Sequence, residues 1–126
     1  MYGAIDFYTE CMANGIKPII GCEVYVAQAS RHSKTNADKS PYHLTLLAKN
    51  AQGYSNLIQL VTKAHLEGFY YKPRVDRELL QEYRDGIIAL SGCLNAEVPR
   101  LILEGRRQDA LESVDWHRQN FGEYFL

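Results

Sequence analysis

Apolar residues along this chain switch repeatedly between the three-to-four spacing of helices and the short β-branched runs of strands. This pattern predicts helices over the opening residues and over about 54–66, 76–83, 95–103 and 108–121. It predicts strands over 19–26, 44–48 and 87–90, with part of another at 124–126. Because strands that alternate with helices are typical of α/β proteins, we expect one α/β layer with a largely parallel sheet.

The same spacing assigns buried faces to the helices. The longest helix is expected to bury one apolar stripe, Leu57, Ile58, Val61 and Ala64. The last helix is expected to bury another, Ala110, Leu111, Val114 and Phe121. The polar and largely basic segment 27–40 is predicted to be a solvated loop. Solvated side chains are also expected for three histidines, His32, His65 and His117.

Composition narrows the class of protein. The chain has 126 residues, 46% of them hydrophobic and 23% charged, which is typical of one soluble globular domain. A net charge of -1 gives no strong electrostatic case for nucleic acid binding by the chain as a whole. No apolar run approaches the roughly 18 residues of a membrane span, so no membrane partner is expected. Three separated cysteines without a CxxC pair, and no signal pattern, favour reduced thiols and a cytoplasmic protein.

The ends of the pattern bear on domain organisation. The pattern begins directly on a helix and stops within an apolar strand. A parallel sheet buries both of its faces and needs its full set of strands. We therefore expect residues 1–126 to be a single incomplete domain, a piece of a larger one that is left with open sheet edges.

Three side chains of metal-ligand type lie at or near the ends of different strand-like runs. Glu23 lies in the first run, His43 at the start of the second and Cys93 just after the third. A carboxylate, an imidazole and a thiolate together suit zinc or a related divalent ion. Each residue also has an ordinary structural alternative, as a buried thiol or a hydrogen-bonded polar group. Three donors are too few for a multi-metal cluster, so such a cluster would need further ligands from other sequence.

The position of His43 conflicts with a shared site in a parallel sheet. Such sheets present their functional side chains at the C-terminal ends of the strands, which is where Cys93 falls. His43 begins its strand, so spacing alone assigns it to the opposite edge of the sheet.

Five segments with distinctive sequences follow one another along the chain. They are GIKPIIGCEVYVA (15–27), YHLTLLAKN (42–50), GYSNL (53–57), EGFYYKPRVD (67–76) and ALSGCL (89–94). Together they closely resemble the PHP (polymerase and histidinol phosphatase) domain, in the group found in the replicative DNA polymerases of bacteria. The resemblance covers essentially the whole chain.

The resemblance implies a distorted (β/α)7 barrel, of which this chain is a part, with a multi-metal cleft at one mouth. It matches Glu23 to a glutamate that bridges metal ions, His43 to the histidine that follows, and Cys93 to a position that is cysteine in the polymerase group. It thereby assigns His43 to the site despite its place in the strand. The family's His-x-His, Asp-His and final Asp-x-His motifs are expected outside residues 1–126. Zinc is the expected metal, with manganese and magnesium as alternatives.

The resemblance also implies a function. The parent protein would be a DNA-directed DNA polymerase, a nucleotidyltransferase of DNA replication, whose polymerase site lies outside this chain. The PHP part would add metal-dependent 3′–5′ exonuclease proofreading, and the chain alone is expected to be inactive. The alternative is a non-catalytic scaffold that docks a separate proofreading exonuclease subunit, and a free-standing PHP phosphoesterase is more distant. Expected partners are DNA, the exonuclease subunit and the sliding clamp.

An aromatic and basic connector, residues 69–74, follows the longest helix. Lys72 and Arg74 are expected to contact DNA phosphates or a partner protein. The structural alternative is that this connector packs over the rim of the barrel.

Overall fold

The computed structural model describes residues 1–126 as one α/β unit. In chain order, its elements are α1 (Ala4–Ala13), β1 (Gly21–Val26), β2 (Tyr42–Ala48), α2 (Ala51–Leu66), β3 (Arg74–Val75), α3 (Arg77–Glu82), β4 (Ile87–Leu90), α4 (Glu97–Leu103) and α5 (Arg107–Phe121). The predicted α/β class is confirmed, whereas the (β/α)7 barrel stays a prediction. None of the helices combines the length and apolar character needed to cross a membrane.

The four strands form one mixed sheet in the order β3-β1-β2-β4. β3 runs parallel to β1, but β2 is antiparallel to both β1 and β4, so the prediction of a largely parallel sheet is wrong. The reason is the connection between β1 and β2. Val26, the last residue of β1, pairs with Tyr42, the first of β2, so residues 27–41 return the chain at the same edge. A parallel pairing would need a crossover to the opposite edge.

Alternation along β1 and β2 separates a buried face of the sheet from a partly open one. Val24, Leu44 and Leu46 point to the buried face. They pack in a core with helix and strand residues, which include Leu57, Leu60, Leu79, Leu80, Ile87 and Ala89. The intervening residues share the other face, and they are exposed or half-buried: Glu23, Tyr25, His43 and Thr45. The polar side chains of ligand type therefore lie on the open face.

The helix α2 forms as predicted, but the side of the helix that is buried differs from the predicted one. Leu57 and Ala64 are buried as predicted, but Ile58 is 40% exposed and Leu60 is fully buried. Asn50 caps the helix by accepting a hydrogen bond from the backbone N–H of Gly53 at 2.9 Å. This cap starts the helix at Ala51, three residues earlier than the apolar pattern indicates.

His117 in α5 is buried, and the prediction of a solvated side chain is wrong. Its Nδ1–H donates to the carbonyl oxygen of Ser113 at 2.8 Å, and its ring stacks on Phe121 and Phe125. Burial lowers the pKa of His117 below its ordinary value, which favours the neutral ring. Leu111, predicted to be buried, is instead 53% exposed. The hydrogen bond from His117 to Ser113 satisfies the polar ring within the helix, so His117 can be buried although it is a polar residue.

Most side chains of the loop 27–41 are exposed, as the sequence predicts, but the buried Arg31 holds the loop against the fold. The Arg31 side chain is largely buried and forms ion pairs with three carboxylates. Its Nη1 lies 3.0 Å from both Asp76 Oδ1 and Glu78 Oε2, and its Nε lies 2.8 Å from Glu67 Oε2. The backbone N–H of Arg31 also donates to Asp76. This network fixes the loop against α3 and the end of α2.

Arg74 is fully buried, so the prediction that it contacts DNA or a partner protein is wrong. Its guanidinium donates to the carbonyl oxygens of Gly68, Arg31 and Ser33 at 3.0, 2.9 and 2.8 Å. Its Nη1 lies 3.6 Å from the carboxylate of Asp38. Arg74 therefore ties β3 to the loop 27–41, because its guanidinium N–H groups are directed at backbone carbonyl oxygens of that loop.

The strand expected at 124–126 is reduced to one bridge. A 3-10 turn occupies Gly122–Tyr124, and Phe125 forms a parallel bridge with Ala89 of β4. The two-residue strand β3 was not predicted, because Pro73 precedes it and the run is too short to show alternation.

We expect Arg74→Met to lower the free energy of unfolding by about 3 kcal/mol, because the buried carboxylate of Asp38 loses its counter-charge and three carbonyl oxygens lose their donor. Urea unfolding monitored by circular dichroism measures the change. Arg107→Met, at an exposed position of α5, is the matched control and is expected to change little. Equal stability of both variants would contradict the structural role of Arg74.

We expect acid to weaken the loop 27–41 through Asp38. Hydrogen bonds from Ser33 and Thr35 hold the pKa of Asp38 down, at about 2 against an ordinary 3.8. The folded-state pKa is thus the lower one, so the stabilisation is fully present above pH 3.8 and is lost as the pH falls towards 2. Urea midpoints measured through this window should fall less steeply for Asp38→Asn than for the parent. Asp115→Asn, at an exposed site, should keep the parental slope.

Candidate metal centre

The antiparallel direction of β2 explains how His43, at the start of its strand, can reach the same edge of the sheet as Cys93. Because β2 runs against β1 and β4, its first residues lie at the edge where those two strands end. His43 pairs with Tyr25 near the end of β1, and Thr45 pairs with Leu90 at the end of β4. The start of β2 and the C-terminal ends of its neighbours therefore form one edge of the sheet.

Glu23 and His43 meet on the open face of the sheet. They lie on adjacent strands, and the register places both side chains on the same side. The imidazole Nδ1 of His43 lies 2.7 Å from the carboxylate Oε1 of Glu23. The Glu23 side chain is 56% exposed and that of His43 is 25% exposed. A solvent-accessible carboxylate and a half-buried imidazole are thus in direct polar contact.

Cys93 reaches the same place from the turn that follows β4. The turn is compact, because Cys93 N–H donates to Ser91 O at 3.1 Å and Ala96 N–H donates to Cys93 O at 2.9 Å. The backbone N–H of Asn95 donates to the Cys93 sulfur at 3.4 Å, and the N–H of His43 donates to Asn95 O at 3.0 Å. Asn95 thereby joins the Cys93 turn to the start of β2.

The donor set of these three residues fits a metal ion. The ligand atoms of Glu23, His43 and Cys93 all lie within 4.8 Å of one another. Donors that are each about 2.1 Å from a tetrahedral ion lie about 3.5 Å apart, a spacing of the same order as the distances between these ligand atoms. This is the one group of three or more His, Cys, Asp or Glu side chains in residues 1–126 whose donor atoms converge in this way.

Two residues beside the centre were not predicted. The ring of Tyr25 meets the His43 ring edge-on, with 5.1 Å between the centroids. Period-two alternation from Glu23 already indicates that Tyr25 shares its face, so this contact had a sequence signal. Asn95 acts through its backbone, for which no sequence signal exists.

The other cysteines and histidines lie outside the centre. Cys22 points to the opposite face from Glu23 and packs against the core, and burial raises the pKa of its thiol. Cys11 lies on α1. The letters of an Asp-x-His motif occur at Asp115-Trp116-His117 in α5, but the imidazole of His117 stacks on the rings of Phe121 and Phe125 and is not in the converging group.

Lys72 remains exposed, in contrast to Arg74. Its ammonium nitrogen lies 5.3 Å from the centroid of the Tyr25 ring. Tyr25 in turn contacts His43, so the Tyr25 ring lies between the exposed Lys72 and the group formed by Glu23, His43 and Cys93.

Comparison with known proteins agrees with this architecture. The PHP domain family matches residues 1–126, the whole of the chain. The chain therefore belongs to the PHP domain family.

The chain is also similar to three bacterial proteins that are each named DNA polymerase III subunit alpha. It is 46% identical over 132 residues to the protein of Deinococcus radiodurans, 48% over 129 to that of Thermus aquaticus and 49% over 130 to that of Treponema pallidum. Each comparison covers 100% of this chain but only 10–11% of the relative. The chain thus spans about a tenth of the length of the curated relatives it matches.

Proposed function

We propose that this chain is part of the PHP domain of a replicative DNA polymerase, the alpha subunit of DNA polymerase III. Support comes from the family match over residues 1–126 and from three relatives at 46–49% identity that carry this name. The proposed partner is DNA, and the proofreading exonuclease subunit and the sliding clamp are proposed partners of the whole protein. In this proposal, residues 1–126 are one part of a domain that extends into other sequence.

We further propose that Glu23, His43 and Cys93 hold a divalent metal ion in that domain. The observation that carries the proposal is the convergence of their ligand atoms within 4.8 Å, although they come from three separate segments. Zinc is the proposed ion, because a thiolate is a soft ligand and magnesium and manganese prefer oxygen donors. An ion with four ligands needs at least one donor besides these three, which leaves room for a water molecule or a further side chain.

The proposed reaction is metal-dependent hydrolysis of a terminal phosphodiester, a 3′–5′ exonuclease activity. When bound, divalent ions polarise a phosphate ester and lower the pKa of a water molecule. His43 is held in place by Tyr25 on its ring and by the Asn95 carbonyl on its backbone N–H. Glu23, the most exposed of the three, has two carboxylate oxygens and can serve two ions, as the family resemblance implies.

A test of metal binding uses the thiols of the full-length alpha subunit proposed to contain this chain. Zinc should slow alkylation of Cys93 by iodoacetamide about tenfold relative to the chelator-treated protein, because a coordinated thiolate is not free to attack. Cys22 is the internal control, since it lies on the other face of the sheet and should react equally in both states. Peptide mass spectrometry measures both sites. Equal labelling of Cys93 with and without zinc would contradict its role as a ligand.

A test of catalysis uses Glu23→Gln in the same full-length protein. We expect metal-dependent release of nucleotides from a labelled single-stranded 3′ end to fall about 100-fold or more, because one anionic donor of the centre is lost. DNA synthesis should be unchanged, since this chain does not contain the polymerase site. Glu82→Gln, at an exposed position of α3, is the control and should keep both activities. Nuclease activity unaffected by Glu23→Gln would favour the scaffold alternative.

A further inference from the structure

Two lysines and two tyrosines form two cation–π pairs near the candidate metal centre, and Lys39, Tyr71 and Lys72 are exposed while Tyr25 is half-buried. The ammonium of Lys39 lies 5.3 Å from the centroid of the Tyr71 ring, and that of Lys72 lies 5.3 Å from the centroid of Tyr25. The Tyr25 ring contacts His43 of the centre. We call these four residues, Tyr25, Lys39, Tyr71 and Lys72, the lysine–tyrosine surface.

The cations of this surface are free to meet an anion. Neither Lys39 nor Lys72 forms an ion pair with a carboxylate, whereas Lys63 is paired with Glu67 at 3.2 Å. The two arginines of the same region, Arg31 and Arg74, are buried and fully engaged in internal contacts. The two guanidinium groups therefore stabilise the fold of this region, and the ammonium groups of Lys39 and Lys72 remain in contact with solvent.

Tyr71 is the aromatic side chain of this surface that faces the solvent. Tyr71 is 64% exposed, and it packs edge-on against Tyr70, whose ring is covered by the buried guanidinium of Arg74. Tyr71 also has a backbone φ of 58°, which is rare for a bulky residue. Such a conformation persists only where the surroundings impose it, and it is common at ligand-binding sites. Phe69, two residues earlier in the chain, is 53% exposed.

We propose that the lysine–tyrosine surface binds single-stranded DNA and directs its end to the candidate metal centre, an inference that rests on the proposed function. Unpaired bases stack on exposed aromatic rings, and ammonium groups contact the phosphates between them. A duplex end has no unstacked bases to offer to Tyr71. A protein partner would cover apolar area without needing two unpaired cations, so the charge of the surface favours the nucleic acid.

Photocross-linking in the full-length alpha subunit tests the surface directly. Position 71 carries photoreactive benzoylphenylalanine, and the probe is a labelled oligodeoxythymidine. The matched control carries the same group at Tyr8, an exposed aromatic position on α1. We expect about ten times more DNA adduct at position 71 than at position 8, and more with the single strand than with a blunt hairpin. Equal adducts at both positions, or an adduct with a protein instead of DNA, would overturn the proposal.

The lysines are tested by the salt dependence of the same adduct. In Lys39→Ala/Lys72→Ala, the slope of the logarithm of the apparent binding constant against the logarithm of salt concentration should become less negative by about 1.4, since each phosphate contact on a single strand contributes about −0.7. Lys34→Ala removes an exposed lysine of the same loop and should keep the parental slope. An unchanged slope in the double variant would overturn the role of the lysines.

Glu23→Gln separates this inference from the proposed function. If the surface binds DNA by itself, this variant keeps the adduct at position 71 whether or not the protein is a nuclease. Loss of nuclease activity without loss of the adduct supports both proposals. An adduct that persists while Glu23→Gln has no effect on nuclease activity contradicts the metal-centre proposal alone, and a missing adduct contradicts the surface alone.

Discussion

The antiparallel pairing of β1 with β2 is the constraint on which the rest of the structure depends. Its register sets Tyr25 opposite His43 and places Glu23 on the same face. A shift of one residue would turn the side chains of β2 to the opposite face. The imidazole would then enter the core, and Leu44 and Leu46 would face the solvent. The alternating apolar residues of both strands therefore fix the register of the core and the geometry of the candidate centre together.

That pairing requires the loop 27–41 to return the chain at one edge of the sheet. Two buried arginines hold it there, Arg31 through three carboxylates and Arg74 through carbonyl oxygens and Asp38. Buried guanidinium groups are tolerated only when most of their donors are satisfied, which is the case for both. The basic side chains of this region therefore have two different roles. Arg31 and Arg74 stabilise the loop 27–41 from inside the protein, whereas Lys39 and Lys72 are exposed on the protein surface.

Local signals determined much of the secondary structure. The helix after Asp76 begins where the capping residue predicts, because the Asp76 side chain accepts the N–H of Leu79 at 3.1 Å. The strand Ile87–Leu90 matches its apolar run. Predictions failed where a polar side chain found a buried partner, as His117 did with Ser113 and Arg74 did with carbonyl oxygens. Hydropathy assigns such residues to the surface, since it contains no information about their partners.

The sequence by itself determined the family, the class of fold and the identity of three ligand-type residues. Those properties depend on residue types and on their order along the chain. The family resemblance implied that Glu23, His43 and Cys93 share a site, but only the tertiary structure decided the direction of β2 and the turn after β4 that bring their ligand atoms together. It also decided that Lys72 faces the solvent while Arg74 does not, although they are two positions apart. Strand pairing and burial are relations between distant segments, and no local pattern specifies them.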